Sequence, residues 1–437
     1  MSGITLVIGA IVLLLCLFAL GVPVVIAFLL CDLLGIALIT GSAGFGMFAN
    51  SMFSTGTTAA LVTIPLFLLV GEILSRGGAI EKMFASVDTL IGHLRGRQYV
   101  LTIALATIFG ALSGTAMGVA AMLGRSVLPG MRERNYDARL SAGTIMAGAC
   151  LAPIIPPSVL VIIIGTMAGV SIAGLMVAGI LPGLLLAGLF LGYIMFRVKR
   201  DPSLAPSEDS EGIRITPKTS VFRALGQLLP VSFVILSIMG LILLGIATPS
   251  EAAATGVLGA IITVAIYGGL SFKMVRDSFR SAAYTAAMIL IIMVTSKIFG
   301  QLLAFTGATG AITESIASLD LTPGIMLIVM LGLPFILCMF VDQIALMMVI
   351  IPIYGPIVAQ LGFDPIWFWL LFLINITVGG MTPPFGYTIF ALKGVVRDMS
   401  ITDMYEAAWP FVGLFILAVI FFALFPNLVT ALPRALL

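Results

Sequence analysis

The chain has 437 residues, of which 61% are hydrophobic and only 9% are charged, and its mean hydropathy is +1.23. These values lie far outside the range of soluble domains, so they exclude a soluble enzyme and indicate an all-α polytopic membrane protein. The formal net charge of +2 says little about partners, and no nucleic-acid partner is expected.

Ten apolar runs are long enough to cross a bilayer as helices, which takes about 18 to 20 residues. They lie near 4–20, 22–40, 58–75, 139–170, 173–197, 227–246, 250–270, 281–305, 365–395 and 408–431. The first run lacks a basic n-region and an A-x-A-like cleavage site, so we expect a retained span. The cysteines lie in apolar runs without metal-binding or redox spacing, and we expect small core residues at Cys16, Cys31, Cys150 and Cys338.

Two further apolar segments, 99–130 and 323–358, are predicted to be re-entrant hairpins that return to the side on which they begin. With ten alternating spans and two such hairpins, 19 of the 21 Lys and Arg residues fall on or toward one side. Lys297 and Arg434 are the exceptions. The positive-inside rule makes that side the cytoplasm and places both termini outside.

The chain contains an internal repeat. Residues 78–88, "GAIEKMFASVD", match residues 310–320, "GAITESIASLD", at six of eleven positions. Further on, Pro129 and Pro356 are 227 positions apart, and the same separation relates two Pro-Pro pairs, Pro156 and Pro157 with Pro383 and Pro384. Nearly constant separations over such a length predict two repeats with the same order of elements.

We predict repeats at 1–197 and 227–437, joined by a hydrophilic cytoplasmic linker at 198–226. Each repeat has two scaffold helices, a third span, a hairpin, a broken transmembrane helix and a closing span. The predicted scaffold helices are 4–40 and 227–270, and the predicted broken helices are 139–170 and 365–395. The first repeat begins outside and the second inside, and such inverted topology is typical of secondary transporters.

Both broken helices contain a Pro-Pro pair, within "AGACLAPIIPPSVL" at 147–160 and "NITVGGMTPPFGYTI" at 375–389. Irregular backbone at membrane depth is tolerated only where it is buried in protein or lines a polar cavity. The freed carbonyl oxygens suit a hard cation, and the half-helix that begins after the break suits a carboxylate. The alternative is that Gly and Pro only kink packed helices, but two symmetric breaks beside polar hairpin tips favour binding sites.

We expect two sodium sites, one from the first hairpin tip with residues 152–158 and one from the second tip with residues 377–384. The predicted sodium ligands are Ser113, Thr115, Ala152, Pro153, Asp342, Thr377, Gly379 and Met381. Three roles are open to Asp342, since it can ligate a cation, carry a proton or cap the helix that follows.

Other polar residues interrupt the apolar runs. Asp32 and Lys297 fall near mid-span, where they can pair with each other, or Asp32 can face another subunit. Arg125 can extend toward the cytoplasm or contact substrate. Glu251, in "ATPSEAA", is expected to complete a capping box.

Two kinds of chemistry have no candidate in this sequence. His93, the only histidine, falls in a predicted cytoplasmic connection, so a His-based intramembrane enzyme is disfavoured. The phosphate-binding pattern GxxxxGK[ST] is absent, so ATP hydrolysis by that route is excluded. Transport must then use an ion gradient or partners.

Five motifs in order resemble the large membrane subunit of tripartite ATP-independent periplasmic (TRAP) transporters, over nearly the whole chain. They are "GALSGTAMGVAAMLGRSVLPGMRERNYD" (110–137), "IIPPSV" (154–159), "ATPSEAAATGVLGA" (247–260), "IIPIYGPIVAQLGFDPIWF" (350–368) and "GGMTPPFGYTIFALKG" (379–394). The resemblance implies sodium-coupled uptake of small organic acids across a bacterial inner membrane by an elevator-type movement. It also implies two partners, a four-helix small membrane subunit and a periplasmic substrate-binding protein.

Carried over by motif position, the resemblance places sodium and substrate at the two tips and the two breaks. The substrate residues it implies are Ser113, Gly114, Thr115, Pro156, Pro157, Ser158, Thr382, Pro383 and Pro384. The nearest rival function is a stand-alone sodium/carboxylate symporter that needs no binding protein. A channel is disfavoured because two closed hairpins would interrupt a continuous pore.

Overall fold

The computed structural model describes residues 3–41, 43–91, 94–206, 218–307 and 322–437, and within these ranges every regular element is a helix. The helices before the predicted linker are α1 (Gly3–Ala19), α2 (Val24–Gly35), α3 (Ala43–Gly56), α4 (Thr63–Arg76), α5 (Ala79–Ile91), α6 (Arg97–Ser113), α7 (Ala116–Ser126), α8 (Leu128–Glu133), α9 (Ala138–Ala149), α10 (Val159–Ala168) and α11 (Ile172–Arg200). Those after it are α12 (Lys218–Leu243), α13 (Pro249–Tyr267), α14 (Phe272–Phe305), α15 (Pro323–Cys338), α16 (Gln343–Gln360), α17 (Pro365–Gly379), α18 (Tyr387–Val395), α19 (Ile401–Leu424) and α20 (Asn427–Leu436).

The predicted all-helical membrane fold is confirmed. Seven helical segments of the described chain are long and apolar enough to cross a membrane by length and composition, and they include α11, α12, α13, α14, α16 and α19. The chain is therefore a polytopic membrane protein. His93 and the second copy of the repeated sequence at 310–320 lie outside the described residues.

Several predicted spans have the wrong boundaries: α14 already begins at Phe272 and α12 at Lys218, and the last predicted span is divided. The apolar run at 408–431 is divided between α19, which already begins at Ile401, and α20. The division falls at Pro426, because proline has no N–H group to continue the hydrogen bonds of α19. Ser400 sets the earlier start, since its side chain accepts a hydrogen bond from the Asp403 N–H at 3.0 Å.

The predicted hairpin segments each form two helices joined by a short turn. The first hairpin comprises α6 and α7, joined by Gly114 and Thr115, and Gly114 has a φ of +63° that favours glycine. The second hairpin comprises α15 and α16, joined by residues 339–342. Two short polar turns are thereby placed at the ends of long apolar helices.

Both predicted helix breaks are present. The first break, residues 150–158, separates α9 from α10, and the second break, residues 380–386, separates α17 from α18. Each contains its Pro-Pro pair, joined by a cis peptide bond. Proline removes a backbone donor and clashes with the preceding turn, which explains why neither run continues as one helix.

The hairpins and the broken helices pack in matching pairs. In the first half α6 packs against α9, and in the second half α15 packs against α17. Across the halves, α7 packs against α18 and α16 packs against α10. Every hairpin helix therefore contacts a half-helix that leads into or out of a break.

Aspartates start both broken helices. The Asp137 carboxylate accepts a hydrogen bond from the Leu140 N–H at 2.7 Å, and the Asp364 carboxylate accepts one from the Ile366 N–H at 3.0 Å. Asparagine and aspartate are favoured at this position because they satisfy orphan N–H groups of the first turn. The predicted capping box at Glu251 is also present, with Thr248 as its first residue.

The prediction for the cysteines holds for three of the four. Cys31, Cys150 and Cys338 are buried, but Cys16 is exposed. Cys16 lies on α1. Among the described residues, α2 is the one helix that packs extensively against α1. One side of α1 is therefore left uncovered by this chain.

Candidate functional site

The first break is an ordered, buried turn. Residues 150–158 are all buried, and the Ser158 hydroxyl donates a hydrogen bond to the Pro153 carbonyl oxygen at 2.6 Å. The same hydroxyl accepts from the Val161 N–H at 3.4 Å and so caps α10. Ser158 thus joins the irregular turn to the start of the second half-helix.

The first hairpin lies directly against this turn. A Cβ placed on Gly110 of α6 would come within 2.7 Å of the Ala152 Cα, closer than side chains tolerate. A Cβ on Gly114 at the tip would meet the Val159 backbone nitrogen at 3.2 Å. Glycine at these positions lets the tip approach the N-terminus of α10. The side chain of Ser113, a predicted ligand, lies outside the described part of the structure.

The second break begins later than predicted. Helix α17 continues through Thr377 and ends at Gly379, and the Thr377 hydroxyl donates to the Leu373 carbonyl at 2.7 Å within the helix. The predicted ligands Thr377 and Gly379 therefore lie in the last turn, where carbonyl groups lack partners within the helix, and the Gly379 carbonyl accepts a hydrogen bond from the Thr382 N–H at 3.0 Å. Met381 and Thr382 in the break are fully buried, whereas Pro384 is exposed.

The second hairpin contacts this region through sulfur and amide groups. The Cys338 Sγ donates to the Ile376 carbonyl oxygen at 3.0 Å, and the Asn375 Nδ2 donates to the Leu331 carbonyl oxygen at 2.7 Å. A Cβ on Gly379 would lie 2.7 Å from the Cys338 Cβ. This close approach resembles that of Gly110 to Ala152, so each hairpin packs on the break of its own half.

The tip of the second hairpin is fixed by Tyr387, which the sequence analysis missed. The Tyr387 hydroxyl donates a hydrogen bond to Gln343 Oε1, which links the start of α18 to the start of α16. A Cβ on Gly380 would lie 1.8 Å from the Tyr387 ring, so the ring fits only beside a glycine. The glycines of the motif, Gly380 and Gly386, indicated a helix break, but no sequence pattern identified Tyr387 as the partner of Gly380.

Asp342 caps a helix. Its Oδ1 atom accepts hydrogen bonds from the Ile344 N–H at 2.9 Å and the Ala345 N–H at 3.4 Å. The capping role proposed from the sequence is therefore present. Both hydrogen bonds end on Oδ1, so the exposed side chain can still act as a ligand. Thr115, its repeat partner, occupies the matching N-cap position of α7.

The first break contacts both halves of the second broken helix. Cys150, at the end of α9, directs its Sγ toward the Thr377 carbonyl oxygen at 3.8 Å and the Thr388 Oγ1 at 4.0 Å. Residues from both broken helices and both hairpins are thereby gathered in one buried region. The carbonyl and hydroxyl oxygens there are the donors that a hard cation prefers. Among the described residues, no group of three or more His, Cys, Asp or Glu side chains could hold a metal ion.

A cavity of about 230 Å³ adjoins the first tip. Its lining includes Thr115, Glu72 and Thr285, which bring together the first hairpin, α4 and α14. Glu72 accepts a hydrogen bond from the Ser281 hydroxyl at 2.9 Å and pairs with the Arg76 Nε at 2.7 Å. The sequence analysis missed Glu72, although an acidic residue inside the run "LLVGEIL" is a signal of function.

Asp32, Lys297 and Arg125 are the other polar residues for which the sequence suggests a role. The predicted pairing of Asp32 with Lys297 is wrong, because both Asp32 carboxylate oxygens are buried without a hydrogen-bond partner among the described residues. Asp32 is also 0% exposed, so it does not face another subunit. Both expectations failed because hydropathy places residues at a depth but does not set the direction of their side chains. Arg125 is exposed in the last turn of α7 and is not part of the cavity lining.

Comparisons with known proteins agree with the motifs. The family profile described as "Tripartite ATP-independent periplasmic transporter, DctM component" matches residues 11–428. A putative TRAP transporter large permease protein of Haemophilus influenzae is 30% identical over 414 residues, covering 94% of this chain and 95% of the relative. The ectoine TRAP transporter large permease protein of Halomonas elongata is 28% identical over 419 residues, covering 94% and 95%.

A solved structure supports the fold. The YdaH transporter of Alcanivorax borkumensis, described as having an unusual topology, aligns with a TM-score of 0.65 and 14% identity. The alignment covers 94% of this chain and 98% of that one. The relatives are transporter permeases, so this chain is not an enzyme. From the extent of the profile match and the identity over nearly the full length, the chain belongs to the DctM component family of the tripartite ATP-independent periplasmic transporters.

Proposed function

We propose that this chain is the transport subunit of a TRAP system that takes up small organic acids, of the dicarboxylate or sugar-acid type, together with sodium ions. The observation that carries the proposal is the contact between the first break and the second broken helix, where Cys150 meets Thr377 in the last turn before the second break. Paired breaks near the middle of the membrane are the usual location of substrate and ion sites in secondary transporters.

The proposed architecture has two inverted repeats, 1–197 and 227–437, with the linker at 198–226. Its support is the matched packing of α6 on α9 and α15 on α17. In this proposal the hairpins and broken helices move as the substrate-carrying body of an elevator mechanism. The scaffold helices, 4–40 and 227–270, stay with the partner subunit.

Sodium is proposed to bind at both hairpin tips. Ser113 and Thr115 with the carbonyls of Ala152 and Pro153 would form the first site. The second site would use Asp342 with the carbonyls of Thr377, Gly379 and Met381. Oxygen donors of these types fit a hard cation, and the Pro153 carbonyl, which accepts a hydrogen bond from the Ser158 hydroxyl, has a second lone pair for the ion.

Substrate is proposed to bind between the two breaks. The N-termini of α10 and α18 both begin at a break, and the partial positive charge of a helix N-terminus favours a carboxylate. Ser158, Pro156 and Pro157 would lie on one side. Thr382, Pro383 and Pro384 would lie on the other, with the first tip from Ser113 to Thr115 above them.

Coupling follows if sodium orders the tips before substrate binds. The ordered tips would close the site through contacts such as that of Tyr387 with Gln343. A fully loaded carrier body would then cross the membrane more readily than a partly loaded one. Net uptake would be driven by the sodium gradient, without ATP hydrolysis by this chain.

The exposed apolar faces of the scaffold support a proposed partner. On α12, Leu229, Phe233 and Leu236 are 66%, 70% and 69% exposed, and they follow a helical spacing. Such a stripe fits either lipid or a neighbouring transmembrane helix. We propose that a four-helix small membrane subunit packs on the scaffold and that a periplasmic binding protein delivers the substrate. The complex would lie in the bacterial inner membrane with both termini of this chain in the periplasm.

The alternative is a stand-alone sodium/carboxylate symporter. The likeness to the YdaH transporter fold is compatible with it, but the family match favours the tripartite system. Binding of a labelled organic-acid panel to the purified complex, in sodium chloride and in choline chloride, tests the sodium dependence. We expect tight binding of at least one acid in sodium alone, and equal binding in both salts would refute the coupling.

A further inference from the structure

A second cavity lies beside the C-terminal part of α14. It has a volume of about 240 Å³, and its lining includes Thr55, Thr58, Thr166, Lys297, Gln301 and Pro352. Thr285 of the first cavity and Lys297 of this one are both on α14, and twelve residues of helix separate them by about 18 Å. The second cavity is therefore a separate space, away from the first tip.

Hydrogen-bond donors dominate the polar lining of this cavity. The Thr55 and Thr166 hydroxyl groups are buried and have no hydrogen-bond partner within the described ranges, and Thr55 is only 4% exposed. Gln301 Oε1 accepts from Ser51, which leaves the amide N–H groups of Gln301 as donors. Unpartnered buried hydroxyl groups cost free energy unless a ligand or water satisfies them.

Lys297 is the one charged residue in the lining described for this cavity. It forms no ion pair with any described residue, and Asp32, the nearest candidate by sequence reasoning, does not reach it. An ammonium group at membrane depth needs an anion or polar partner. The Lys297 ammonium group has three N–H donors, and the Thr55 and Thr166 hydroxyl groups are unpartnered among the described residues. Together they match the acceptor oxygens of a carboxylate.

We propose that this cavity is a carboxylate-binding site in which Lys297, Thr55 and Thr166 hold an organic acid apart from the site between the breaks. Naming the anion as the transported acid rests on the proposed function. Two walls of the cavity come from α10 and α16, which belong to the proposed carrier body, and two come from α3 and α14. The site therefore lies where the proposed carrier body faces α3 and α14, and there it would hold substrate before or after the site between the breaks.

Binding can be measured without transport. Thermal unfolding of the purified chain in detergent is followed with increasing succinate, and with succinamide as its uncharged match, at constant sodium and ionic strength. We expect succinate alone to raise the unfolding temperature. In Lys297→Met the half-saturating succinate concentration should rise by roughly tenfold to a hundredfold, the usual effect of losing a hydrogen bond to a charged group.

Matched variants separate binding from folding. Lys273→Met changes an exposed lysine on the same helix, and Thr57→Val changes an exposed threonine beside the cavity residue Thr55. Both should respond to succinate as the wild type does, Thr55→Val should need several-fold more succinate, and Lys297→Arg should retain binding. An unchanged concentration dependence in Lys297→Met, or no succinate effect on the wild type, would overturn the proposal.

The same variant separates this proposal from the proposed function. If Lys297→Met shows sodium-driven uptake with the half-saturating substrate concentration of the wild type, the proposed cavity site is contradicted and the proposed transport function is not. If succinate binding requires Lys297 but uptake is not driven by sodium, the cavity site is supported and the proposed sodium coupling is contradicted.

Discussion

Cys150 and Thr377 are in contact and are 227 positions apart in the chain, with the Cys150 Sγ 3.8 Å from the Thr377 carbonyl oxygen. The same separation relates the two Pro-Pro pairs and the two aspartates that cap the broken helices, Asp137 and Asp364. Equivalent positions of two repeats can touch each other only close to the axis that relates them. The contact therefore supports the proposed two-fold arrangement, with the breaks on its axis.

The close approach of the second hairpin to its break predicts the effect of a single added methyl group. In Gly379→Ala the new Cβ would meet the Cys338 Cβ at 2.7 Å, so the hairpin must shift. We expect a loss of about 1–3 kcal/mol in stability, as for other overpacked sites, and a strong loss of uptake. Gly332→Ala on α15 is the control, since its Cβ would meet nothing within 4 Å. Equal unfolding temperatures for the two variants would contradict the packing described.

The Tyr387 hydroxyl is expected to support sodium binding at the second tip. Tyr387→Phe removes its hydrogen bond to Gln343 but keeps the ring. A hydrogen bond of this kind contributes about 1 kcal/mol, which corresponds to roughly a fivefold rise in the half-saturating sodium concentration. Tyr284→Phe, at a residue 66% exposed on α14, should leave the sodium dependence unchanged. Sodium titration of substrate binding measures both variants, and an unaltered titration in Tyr387→Phe would contradict the expected role.

Asp342→Asn separates capping from cation binding. Asparagine caps helices about as well as aspartate, so we expect the unfolding temperature to change little. If the carboxylate also binds sodium, the half-saturating sodium concentration should rise roughly tenfold or more because a full negative charge is lost. Asp137→Asn changes a capping aspartate at the start of α9 and serves as the control. Identical sodium titrations for the two variants would restrict Asp342 to capping.

Ser158 is expected to stabilise the first break. Ser158→Ala removes the cap of α10 and the hydrogen bond to the Pro153 carbonyl, and loss of a cap costs about 1 kcal/mol. The unfolding temperature should fall more than in Ser126→Ala, where the exposed hydroxyl bonds only to the Met122 carbonyl of its own helix. A fall of the same size in both variants would show that the turn does not depend on Ser158.

The sequence was sufficient to predict the helical class, the two hairpins and the two breaks, because apolar runs and Pro-Pro pairs act through local backbone chemistry. It was not sufficient for contacts between distant helices. The contact of Gly380 with the Tyr387 ring was not predicted, and the predicted partner of Asp32 was wrong. Both contacts depend on the direction of a side chain on a packed helix, which the sequence pattern does not set. Glu72 is outside the breaks and the hairpin tips, and only its apolar surroundings mark it in the sequence.

Sodium-coupled uptake is tested most directly in proteoliposomes that contain this chain with its small membrane subunit. A panel of radiolabelled organic acids is offered with and without an inward sodium gradient, and with and without the periplasmic binding protein. We predict that at least one acid accumulates only when both the gradient and the binding protein are present. Accumulation that is independent of the sodium gradient would contradict the proposed coupling, and sodium-driven accumulation without the binding protein would identify a stand-alone symporter instead.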